Sequence, residues 1–191
     1  MKIATVDLVS ELVTRTNSFI EIAEKSFLPL NENQINWKPD IDSWSIGECL
    51  EHLNMYGDYY IPAISEGIHN GANTKPSEKF KPGWLGNYSA NAMLPREGVI
   101  TNKMKSPKDK NPALSTVPRG VVERFINQQK DILTLLEESG NVSMSKVRVP
   151  ISIGRFIKFK LGDTFRFIIY HNERHIIQAE NVYKALKASK N

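Results

Sequence analysis

Tyr170-His171-Asn172-Glu173-Arg174-His175-Ile176-Ile177-Gln178 lies in the last long apolar-periodic segment of the chain. Its two histidines are four residues apart, and on a helix positions i and i+4 sit one above the other on the same face. Two neutral imidazoles stacked in this way can share one divalent ion, the geometry by which an H-E-x-x-H helix holds zinc. The motif itself is absent, because Asn172 follows the first histidine. A pair of ligands also needs a third. His52, in Glu51-His52-Leu53, is the candidate; His69, beside Asn70-Gly71, reads as a surface residue at a helix end.

Outward from this stretch, the chain of 191 residues is long enough for one domain with a real core, taken as 1–191. Hydrophobic residues make up 40% and charged residues 24%, the balance of a soluble globular protein. The net charge of +4 is mild and its charges are interspersed, so no nucleic-acid or membrane footprint is read. The single cysteine, Cys49, rules out an intramolecular disulfide and fits a reducing compartment. Residues 1–7 show no apolar leader core, and no run reaches the roughly 18 apolar residues of a membrane span. The expectation is a cytoplasmic protein.

Four amphipathic helices are predicted. The first covers about Val6 to Phe27, with Val9, Leu12, Val13, Thr16, Phe19, Ile20, Ala23 and Phe27 at helical spacing. A loop from Asn33 to Ser43 follows. The second helix opens on Ser45-Ile46-Gly47-Glu48, a capping box, with Trp44 and Cys49 placed for a hydrophobic staple. It runs to about His69, with a kink or a new turn expected at Pro62. The third spans about Arg119 to Glu138, and Gly140-Asn141 stops it. The stretch from Val142 to Lys160 holds a short strand or only a loop, and no sheet is read from it. The fourth helix starts near Gly162-Asp163-Thr164 and ends near Lys187, with His171, His175, Gln178 and Val182 on one inward stripe. The fold class is therefore all-α: a four-helix bundle with a long irregular crossover between the second and third helices.

That crossover, about 70–118, carries scattered prolines and glycines and a basic run at Lys103, Lys105, Lys108 and Lys110. It reads as a decoration covering the bundle. The alternative is a lid, with Trp84, Leu85, Tyr88 and Met93 as its packed apolar residues. The lysines read as a solvated loop, since no aromatics interleave them.

Bundle cores are where facing helices build metal sites. If His52 faces the pair, three protein ligands leave coordination positions open, as in catalytic metal sites. Tyr56, four residues after His52, is a candidate donor into the cavity or a core residue. Gln178 is a candidate for binding a ligand or a water. Glu48 reads chiefly as the cap, Cys49 as a small buried hydrophobe, and Arg174 as a surface residue facing away from the pair.

Trp44-Ser45-Ile46-Gly47-Glu48-Cys49-Leu50-Glu51-His52-Leu53 resembles the W-S-x-x-E-x-x-x-H-L signature of the DinB/YfiT-like superfamily. His171 to Gln178 resembles its second signature, H-x-x-x-H-x-x-Q, and Trp37-Lys38-Pro39 fits the approach to the second helix. The resemblance implies an up-down-down-up four-helix bundle with a variable crossover. It implies a divalent-metal site, zinc or nickel, on His52, His171 and His175. The activity implied is metal-dependent transfer of a low-molecular-weight thiol, as co-substrate, to an electrophilic small molecule. Homodimers are frequent in the family it resembles, and neither nucleic acid nor membrane is implied as a partner. Two other functions stay open: a non-catalytic small-molecule-binding bundle, and a metal-dependent hydrolase with bound hydroxide as nucleophile, against which no carboxylate stands at a fixed offset from the triad as general base, Glu48, Glu51 and Asp58 being the nearby candidates.

Overall fold

The computed structural model describes residues 2–95, 99–100, 106–112, 116–152 and 154–189. Lys103 and Lys105 of the basic run lie outside the described residues.

Strand β1, Ile3–Ala4, leads into helix α1, Thr5–Ile22, which widens into a π-helical turn over Ala23–Phe27. Of the predicted stripe, Leu12, Thr16, Phe19, Ala23 and Phe27 are at most 3% exposed, while Val9, Val13 and Ile20 are half-buried and Leu8, outside the stripe as read, is buried too. The loop expected after it contains a single helical turn, α2, Glu32–Ile35. Asn31 caps that turn reciprocally with Gln34. Four residues are too few to show helical periodicity, so only the cap could have signalled it.

Helix α3, Ile46–Asn70, has the predicted capping box: the Glu48 amide donates to Ser45 Oγ at 3.1 Å, and the Ser45 amide to Glu48 Oε2 at 2.8 Å. It continues unbroken through Pro62. Pro62 is exposed, so the hydrogen bond it removes lies on the solvent side. Helix α5, Val121–Glu138, and helix α6, Leu161–Ala188, complete the bundle, with α3 packed on both.

Two parts of the chain depart from the sequence-based expectation. The crossover is not irregular throughout. It holds strand β2, Lys79–Phe80, and helix α4, Trp84–Met93, and it is anchored at both. Strand β2 pairs antiparallel with β1, Ile3 opposite Phe80. The Phe80 ring lies against the backbone of Gly162 at the start of α6, where a Cβ would approach its Cε2 to 2.6 Å; only glycine admits that ring. Helix α4 packs on α6. Arg166 donates to Asn87 Oδ1 at 2.8 Å and Asn91 Oδ1 at 2.9 Å, while Asp163 Oδ2 accepts from the Gly83 amide at 2.6 Å. These charge-assisted bonds hold the crossover on the bundle.

The second departure is a sheet where none was read. Strands β3, Arg148–Ile151, and β4, Gly154–Lys160, form an antiparallel hairpin with Val149 opposite Phe159 and an irregularity at Pro150/Ile151. Val149, Ile151 and Phe159 are buried beside the start of α6. Pro150 is accommodated within β3 because a two-stranded ribbon has only edges, where its missing N–H is tolerated. No helix among the described residues is long and apolar enough to cross a membrane.

Candidate metal centre

The last helix is unusual in being covered on nearly every side: residues 161–172 are buried without exception. Helix α3 covers the face carrying His171, and α4 and α1 cover the others. This brings His52 of α3, 119 residues distant in sequence, to His171, with the two Nε2 atoms 3.2 Å apart. His175 closes the group: its ring lies 4.6 Å from that of His52 and 4.7 Å from that of His171. One ring nitrogen from each of the three lies within 4.8 Å of the others. The convergence expected of His52, His171 and His175 is thus present.

Two of the rings are oriented by hydrogen bonds. His52 Nδ1 lies 2.5 Å from the carbonyl of Lys110. A carbonyl only accepts, so Nδ1 carries the proton and Nε2 turns its lone pair to the cluster. His175 Nδ1 lies 3.0 Å from Gln178 Oε1 and is fixed in the same tautomer by donating to it. His171 Nδ1 is buried without a hydrogen-bond partner among the described residues. Its ring is held by packing, parallel to Phe167 at 6.1 Å and against Tyr56 at 4.5 Å.

All three imidazoles are kept neutral. Burial is the main cause in each, holding His52 down to about 4, His175 to about 3 and His171 well below its ordinary value. The neighbouring histidines disfavour protonation of His171 and His175 further, and Arg174 adds to this. Metal ligation requires neutral imidazole, so the burial that disfavours the charge prepares the ligands.

A cavity of about 150 Å³ opens on the cluster, room for a group the size of an aromatic ring. Its walls include Trp44, Tyr56, Met93, Phe167 and Arg174. Trp44 lays its ring on His52 at 5.0 Å and on His175 at 5.6 Å, so it belongs to the site wall. Met93 of α4, with Ser106 and Pro107, shows that the crossover is more than a decoration: it forms part of the cavity and supplies the carbonyl that orients His52. Trp84 and Tyr88, packed residues of the lid in the alternative reading, are 84% and 72% exposed.

Arg174 is the clearest correction. A surface position was expected because its own helix turns it away from an inward pair. It is 6% exposed and lines the same cavity. Sequence periodicity resolves one apolar face, whereas α6 is packed on several.

The other candidates fall elsewhere. Glu48 is enclosed by the cap and by Lys38 at 2.7 Å; Glu51 and Asp58 pair with Arg124. Cys49 is fully buried, and burial pushes its thiol up, so it stays protonated. His69 is exposed at the end of α3, as expected.

Residues 20–179 match the family model described as the DinB superfamily. The chain belongs to the DinB superfamily. No curated protein and no solved structure matches it. The two motifs by which the DinB resemblance was read, one ending at His52 and one spanning His171 to Gln178, both fall inside the matched region. For this DinB-superfamily chain the donor set fits a metal ion: three neutral imidazoles, two with anchored Nδ1 atoms, beside a cavity that leaves room for further ligands.

Proposed function

We propose that the protein is a metal-dependent transferase that joins a low-molecular-weight thiol to an electrophilic small molecule. The observation that carries this reading is the convergence of three neutral imidazoles on a largely apolar cavity that contains no carboxylate among its described residues. His52, His171 and His175 would hold a zinc or nickel ion. Bound there, the ion supplies a positive centre that keeps a thiol in its nucleophilic thiolate form.

The chain's own residues do the rest. The Lys110 carbonyl and Gln178 hold two imidazoles in the tautomer that presents Nε2. Trp44, Met93 and Phe167 keep water from the reacting sulfur and present an apolar wall to the electrophile. Burial pushes Tyr56 up to about 12, so at neutral pH it is a hydroxyl donor on the cavity wall. Its hydroxyl has no hydrogen-bond partner among the described residues, leaving it available to a leaving group that departs with its electron pair.

A hydrolase would need a base near the cluster, and Glu48, Glu51 and Asp58 are engaged elsewhere. A non-catalytic binding module remains the competing reading. Thioether formation from a set of small thiols and an electrophilic aryl chloride, with zinc- or nickel-loaded protein, separates the two. We expect turnover that disappears on chelation and falls in Tyr56→Phe. No thioether from any thiol would overturn the transferase and favour the binding module.

Gln178 has a separate expected effect. Gln178→Ala removes the acceptor of His175 Nδ1 and should weaken metal binding about 10- to 100-fold, the usual loss when a ligand's supporting partner is removed. Competition against a chromophoric chelator measures it. Unchanged affinity would mean that packing alone orients His175.

A further inference from the structure

Arg174 stands apart from the other arginines whose side chains are described. Arg15 and Arg124 pair with carboxylates, Arg166 with Asn87, Asn91 and Asp163, and Arg119 and Arg148 donate to backbone carbonyls. Arg174, 94% buried by its 6% exposure, has neither a hydrogen bond nor an ion pair among the described residues. A largely enclosed arginine whose guanidinium no described protein group satisfies leaves its N–H donors open to whatever occupies the cavity it lines. It lies three residues after His171 and one before His175, and it lines their cavity. The described walls of that cavity contain no carboxylate to balance it. Three neutral imidazoles add no negative charge either.

We propose that Arg174 binds a carboxylate of the small molecule that occupies this cavity, as a specificity-determining residue beside the histidine cluster. The planar fork of a guanidinium matches the two oxygens of a carboxylate in paired, charge-assisted hydrogen bonds. In a cavity of about 150 Å³ such a pairing fixes one end of the ligand while its other end faces the histidines. This deepens the transferase reading and rests on the same cavity: the substrate class becomes small thiols or electrophiles that carry a carboxylate.

The test compares matched acids and amides by calorimetry. With zinc-loaded protein, 3-mercaptopropionate is expected to bind about 10- to 100-fold more tightly than 3-mercaptopropanamide, the range of a charge-assisted pair. Arg174→Gln should abolish the difference while zinc content and amide affinity stay unchanged. Butyrate against butyramide, with metal-free protein, repeats the comparison without sulfur or metal. A preference for butyrate there, in protein that shows no thiol turnover, would keep the carboxylate site and remove the transferase. Equal affinity for acid and amide in metal-free wild-type protein would overturn the inference, and so would a preference that survives in Arg174→Gln. The metal-free wild-type comparison decides the matter even if that variant does not fold.

Discussion

His171→Ala is expected to abolish stoichiometric metal binding. Wild-type protein loaded with zinc or nickel should carry about one ion per chain, and the variant should lose more than about 100-fold in affinity, since removal of a mere supporting partner already costs up to that much. His171 is the central member: its Nε2 faces that of His52 and its ring touches that of His175. Two remaining imidazoles from different helices would have to hold the ion alone. Elemental analysis with chelator competition measures the loss. His171→Gln, closer in volume, guards against a packing defect being mistaken for a lost ligand, because His171 is buried between Phe167 and Tyr56. His69→Ala, on the exposed end of α3, should change nothing. Metal retained at wild-type affinity in both His171 variants would remove the metal centre.

The second large effect is acid sensitivity of the metal-free protein. In the unfolded chain a histidine takes up a proton near its ordinary 6.5; in the fold His52 does so only near 4 and His175 near 3. Between these values the unfolded state binds more protons, so stability is complete above about 6.5 and falls as pH falls. From pH 7 to pH 5 the loss is on the order of 2 kcal/mol for each of these two histidines. His171, held well below its ordinary value, acts in the same direction. Denaturant unfolding at pH 7, 6 and 5 should show the decline. His52→Gln with His175→Gln should flatten it, and bound zinc should displace it to lower pH by occupying the imidazoles. A stability independent of pH over this range would mean that the rings are hydrated rather than buried.

Much of this was legible in the chain itself. The apolar spacing of α1, α3, α5 and α6 is strong enough to be read locally, and the Ser45 and Glu48 cap marks the start of α3 to the residue. The i, i+4 spacing of His171 and His175 placed two candidate ligands on one face without any tertiary information. The turn α2 was missed and the β3–β4 pairing was not read, a short strand or a loop being left open there, because the stability of such short elements comes from the surfaces they cover. Helix α4 was obscured by the prolines and glycines around it, and its place is set by Arg166 and Asp163 of α6.

The sequence by itself determined the four long helices and the histidine pair, which rest on residues a few positions apart, and the family of the chain, which rests on two short motifs each legible locally. The tertiary structure alone decided that His52 meets the pair across 119 residues, that a Lys110 carbonyl orients it, and that Trp44 and Met93 wall the cavity. It also decided that Arg174 is buried. The physical reason is the same throughout: local spacing fixes which face of a helix a side chain occupies, but only packing fixes what covers that face. On α6, covered by α1, α3 and α4, even a face that reads as solvent-exposed becomes interior.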